Sequence, residues 1–196
     1  MRAHRWALGP ALVVALALLF GRGITYSAFS ESTSGASNRF AAGTVDLGDN
    51  DAGETMLELA DAQPGAADTG CIRVSYTGSL PAAVRLYATT SGTLASYLDL
   101  VVTRGVDTTP AFDACEGFVA DGPDYLGLGA GVVYDGTLAA FPGAWAAGVV
   151  DPPTGGVESW TTGEVRSYRL SVTLADDVAA EGTSASASFS WEARNQ

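Results

Sequence analysis

Three stretches of the chain alternate apolar and polar residues with a period of two. In residues 71–77, Ile72, Val74 and Tyr76 share one face, and Arg73, Ser75 and Thr77 share the other. In residues 168–174, Tyr168, Leu170, Val172 and Leu174 alternate with Arg169, Ser171 and Thr173. Residues 184–193 are the clearest: Ala185, Ala187, Phe189, Trp191 and Ala193 point one way, and Ser184, Ser186, Ser188 and Ser190 the other. Successive side chains of a strand fall on opposite faces, so each stretch predicts a half-buried β-strand. Shorter runs predict strands at 44–47, 55–59, 83–89, 98–104, 117–120 and 132–134. Turn formers separate them at Gln63-Pro64-Gly65, Thr77-Gly78-Ser79-Leu80-Pro81, Asp121-Gly122-Pro123 and Asp151-Pro152-Pro153. Short strands with regular turns predict an all-β fold, an antiparallel β-sandwich. The exception is residues 137–150, rich in alanine and broken by Pro142 and Gly143. That loop insertion predicts one or two short helical turns.

The N-terminus follows a different pattern. Arg2, His4 and Arg5 precede an apolar run over residues 7–20, and small or polar residues follow at 21–27. Positive flank, apolar middle and small-residue exit make a secretory signal peptide of residues 1–27. The apolar run is shorter than the roughly 20 residues that span a bilayer, so no stable membrane span is expected after cleavage. Thr25 and Ser27 suit the positions before the cut, which places cleavage before Ala28. Residues 28–37 then form an N-terminal segment, and residues 38–196 a single sandwich domain.

Removing the signal sharpens the charge. The chain has ten arginines and no lysine, and three of the arginines lie in the signal. All 22 acidic residues lie beyond it. Seven cations against 22 anions argue against nucleic acid, whose affinity rests on Lys and Arg neutralising phosphates. The same balance argues against anionic lipid. The single histidine, His4, is in the signal. The exported domain therefore holds no Ser-His-Asp or Cys-His arrangement and no His-based zinc site. Acid–base chemistry would fall to carboxylates, and no carboxylate pair stands out.

Three further features have both a chemical and a plain reading. Asp46, Asp49, Asn50, Asp51 and Glu54 place hard oxygen ligands in one short stretch, a candidate calcium loop. It lacks the glutamate that closes an EF-hand, and a solvated acidic turn is the competing reading. Gly127, Gly129 and Gly131 have no strand-to-helix context and no lysine for a phosphate, and read as a surface loop. Trp145 and Trp160, beside Gly- and Pro-rich loops, suit either sugar stacking or ordinary packing. Cys71 and Cys115 are the only cysteines, and in an exported chain an even count predicts a disulfide.

Several of these residues resemble the TasA and camelysin (CalY) family. The stretch Gly23-Ile24-Thr25-Tyr26-Ser27-Ala28-Phe29-Ser30-Glu31 is similar to the family's signal-peptide exit. Phe40-Ala41-Ala42-Gly43-Thr44-Val45-Asp46-Leu47 is similar to its F-x-A/S-G-T-L/V-D-L signature. Gln63-Pro64-Gly65 and Ser75-Tyr76-Thr77-Gly78-Ser79-Leu80 stand where the family has turns, with Thr77 in place of asparagine. Ser188-Phe189-Ser190-Trp191-Glu192-Ala193 resembles its closing strand. The resemblance implies a jelly-roll sandwich, exported through a SipW-type signal peptidase. It implies a structural protein of the cell surface or biofilm matrix that self-associates into fibres. Donation of an N-terminal strand to the next subunit would join them, with Ala28 and Phe29 in the donor and Phe29 as its one large apolar anchor. Two other functions stay open at this point. One is the metallo-endopeptidase activity ascribed to the camelysin branch, against which the missing histidine counts. The other is a monomeric surface module that binds calcium or a partner.

Overall fold

The structure, a computed structural model, describes residues 30–33, 44–108, 111–153 and 159–195. Ten strands follow one another: β1 (Ser30–Thr33), β2 (Leu47–Asp49), β3 (Ala67–Tyr76), β4 (Ala82–Ser91), β5 (Leu98–Asp107), β6 (Phe118–Ala120), β7 (Val132–Thr137), β8 (Val149–Val150), β9 (Val165–Leu174) and β10 (Ser186–Asn195). They form two sheets. One has the order β1-β10-β4-β8; the other has the order β2-β3-β9-β5-β6, with β7 also pairing β5. Every pairing is antiparallel. The protein is an all-β sandwich.

The period-two pattern sets which face is inside. Ile72, Val74 and Tyr76 of β3 and Leu100 and Val102 of β5 are buried, with Tyr168, Leu170, Val172 and Leu174 of β9. From the other sheet come Val84, Leu86 and Ala88 of β4 and Trp191 and Ala193 of β10. Tyr168 meets Trp191 across the two sheets with ring centroids 5.1 Å apart. Trp160 is fully buried in the same core, bridged through its backbone to Ala82, so it packs rather than stacks a ligand.

Two expected strands are corrected. The first strand is Leu47–Asp49 rather than 44–47; before it the chain keeps the register through single backbone hydrogen bonds, Ser79 N–H donating to the Thr44 carbonyl and Thr77 N–H to that of Asp46. Residues 55–59 form no strand. Side chains hold that segment instead, with the Glu58 N–H donating to Asp68 Oδ2 at 2.7 Å. Met56 and Leu57 pack against the core from there. The expected helical turns are present as short 3-10 turns at Leu138–Ala140 and Trp145–Ala147.

Cys71 and Cys115 form a disulfide with 5.1 Å between their Cα atoms. It fixes the long β5–β6 connection against β3. There the Cys71 N–H donates to the Asp113 carbonyl and the Asp113 N–H to the Cys71 carbonyl. The connection thus occupies a stretch of β3 edge that the three-residue β2 does not reach.

Candidate functional site

An edge strand carries unpaired backbone donors and acceptors along its outer side. β10 runs for ten residues beside β4. On its other side β1 pairs it over four residues only, from Ser30 opposite Arg194 to Thr33 opposite Trp191. Among the described residues no strand covers that side of residues 186–190. The predicted N-terminal segment thus reaches the sheet where its described part begins. Ala28 and Phe29 themselves lie outside the described residues.

Beside the open edge runs a groove of about 620 Å³ between the two sheets. Ala187, Phe189 and Trp191 line it from β10, Ile72 and Val172 from the opposite sheet, and Met56, Leu57 and Leu59 from the 55–59 segment. The segment closes in because residue 70 is glycine. A Cβ there would lie 2.4 Å from Met56 Cγ and 2.8 Å from the Met56 carbonyl oxygen. Phe112, on the connection pinned by the disulfide, also lines the groove. Four carboxylates, Asp49, Asp51, Glu54 and Glu58, line it too, and among the described residues no arginine does.

The candidate calcium residues are spread along this rim and its approach. Asp46 accepts from Thr77 Oγ1 at 2.9 Å. Asp51 accepts from the Gly53 N–H at 2.8 Å, which closes a tight turn. Among the described residues no group of three or more His, Cys, Asp or Glu is gathered to hold a metal ion. The structure therefore places Asp46, Asp49, Asp51 and Glu54 in turns and along a groove rather than around one point.

A second polar cluster escaped the sequence reading. Arg104 is buried at an inward position of β5 and pairs with Asp121 and Asp151. Tyr125 Oη donates to Asp121 Oδ2 at 2.8 Å. Burial works against the guanidinium charge, but Asp151 and Asp121 outweigh it and hold its pKa above the usual arginine value. Asp151 also donates its N–H to the Val84 carbonyl of the other sheet, so the cluster ties the two layers together. The Gly-x-Gly-x-Gly loop closes over this end. The Arg104 N–H donates to the Gly131 carbonyl, and a Cβ at Gly131, where φ is +72°, would lie 2.4 Å from the Arg104 carbonyl oxygen. In the same loop Asp124 accepts from the Leu128 N–H. Backbone N–H groups, that of Gly129 foremost, hold the Asp124 carboxyl below its usual pKa.

On the outer face of β4 and β10, the guanidinium groups of Arg194 and Arg85 lie 4.4 and 5.2 Å from the Trp145 ring centroid. Arg85 also donates to the Trp145 and Ala146 carbonyls, at 3.0 Å each. Trp145 is thus engaged in fixing its own loop to the sheet. Among the described residues no helix is long and apolar enough to cross a membrane. No protein-family model matches the chain, and a search of curated proteins finds no match either.

Proposed function

We propose that this protein is a secreted structural subunit of the cell surface or biofilm matrix, which assembles by donating its N-terminal strand to a neighbouring copy. The observation that carries the reading is β1, a polar four-residue strand that is the sole described cover on this side of β10. Four residues of edge pairing hold a strand weakly, because an isolated pair of strands is marginal in water. The same pairing made by the β1 of another copy costs no contact and links two molecules. An edge strand held this lightly is otherwise an aggregation hazard, and here residues 191–194 of β10 serve as the acceptor. In this reading residues 1–27 direct export and are removed by a SipW-type signal peptidase. Cleavage frees Ala28 and Phe29 at the tip of the donor. The acidic surface keeps the unassembled subunit soluble.

Truncation tests the reading. The chain beginning at Ala28 should form concentration-dependent oligomers in sedimentation velocity. The chain beginning at residue 38 should stay monomeric while still melting cooperatively. Equal association of the two chains would remove strand donation from the account.

A further inference from the structure

β1 covers less than half of the β10 edge, and what remains has a chemistry of its own. Among the described residues nothing pairs the outer side of residues 186–190, five residues of strand or about 17 Å at roughly 3.3 Å per residue. The side chains of this stretch that face the groove are Ala187 and Phe189, set against Ile72, Met56 and Leu57. An added strand would therefore insert every second side chain into an apolar slot. The rim carries Asp51, Glu54 and Glu58, and no described cation lies in ion-pair range of them.

The protein's own N-terminal segment suits this stretch poorly. A strand extending the register of β1 would bring Gly35 opposite Phe189 and Ser37 opposite Ala187. Neither supplies apolar bulk. Residues 28–37 contain one large apolar residue, Phe29, and their only charged side chain is Glu31, which an acidic rim repels.

We propose that the groove beside residues 186–190 docks an extended segment of a different protein. That segment carries large apolar side chains at alternate positions and lysine or arginine at its ends. Backbone hydrogen bonds to the β10 edge supply the pairing, the apolar slot selects the alternation, and the carboxylates select the charge. The site adds to the strand-donation reading without depending on it: β1 pairs residues 191–194, and the partner pairs residues 186–190.

The probe is a capped seven-residue peptide of sequence lysine-valine-threonine-phenylalanine-threonine-valine-lysine, titrated into the chain beginning at Ala28. Comparison peptides carry glutamate for both lysines, or the same residues with the alternation scrambled. The cationic alternating peptide should bind saturably and slow amide exchange at residues 186–190. The glutamate peptide should bind about tenfold more weakly, the equivalent of about 1.4 kcal/mol. Two variants should lose the preference with the fold intact, the exposed Ala187→Asp and the combined D51N/E54Q/E58Q. Equal binding of all three peptides, or no saturation at millimolar concentration, would overturn the inference. A peptide that dissolves the oligomer rather than binding alongside it would assign the groove to a second copy, and would also overturn it. Monomeric behaviour of the chain with peptide binding intact would remove strand donation alone.

Discussion

Arg104 occupies a position where the alternation of β5 calls for an apolar side chain, and the fold accommodates it by bringing two carboxylates inward. A single buried cation would be expelled or neutralised, whereas a paired and hydrogen-bonded one is retained. The sequence reading predicted the strand at 98–104 but not that Arg104 would share the inward face of Leu98, Leu100 and Val102. Its partner Asp151 was not legible either, because the two are 47 residues apart and meet only across the sandwich. Tyr87 shows the same coupling on the outer face. Its hydroxyl donates to Glu192 Oε2 at 2.8 Å. Burial, the hydrogen bond and the Glu192 charge push its pKa up to about 12 from 10.0. A phenol with a raised folded pKa stabilises fully below pH 10. Between pH 10 and 12 the unfolded chain releases a proton that the native state keeps, so stability falls as pH rises through that window. Melting temperatures followed from pH 9 to 12 should therefore drop less steeply in Tyr87→Phe than in the unaltered protein. Parallel slopes would show that the Tyr87–Glu192 contact has no such coupling.

The strands legible in the sequence were those that alternate apolar and polar residues over their length. β10 is the clear case, with Phe189, Trp191 and Ala193 set against the serines of its other face, although only its Trp191–Ala193 end is buried. β1 and β8 were not legible: Ser30–Thr33 is wholly polar and Val149–Val150 is two residues long, so pairing with a neighbour, not a local pattern, defines each. The opposite error arose at residues 55–59, where Met56, Leu57 and Leu59 face the groove without a strand partner. The groove itself left no local signal, because it is made by an edge that no other described strand covers. The disulfide was legible as a pair, but its role at the β3 edge was not. Closing a loop of 44 residues stabilises a chain by roughly 4 kcal/mol in the entropic account. The double variant Cys71→Ser with Cys115→Ser should lose a stability of about that size in urea unfolding. Amide exchange at Cys71 and Asp113 should quicken more than at the β4–β10 pair. A uniform change along the chain would mean that the bond stabilises the whole fold without guarding this edge.

At the scale of the molecule, the two sheets treat their edges differently. The β3 edge is filled by β2 and by the disulfide-pinned connection, while the β10 edge carries a short polar strand and an open groove. A lightly held β10 edge beside a filled β3 edge gives an added subunit a preferred side. The high negative charge acts at this scale too. It keeps free subunits apart at low salt and is screened within about 8 Å at physiological ionic strength. The central claim is that β1 pairs with β10 of another copy. It is tested most directly by placing one cysteine in each strand of that pair, Ser30→Cys with Arg194→Cys, in the chain beginning at Ala28. Facing residues of an antiparallel pair lie about 4.5–5.5 Å apart at their Cα atoms, within reach of a disulfide. On oxidation, dilute protein should form the link within one chain. Protein at assembly concentration should form it between chains and give a ladder of covalent oligomers under denaturing electrophoresis. Links confined to single chains at every concentration would contradict strand donation.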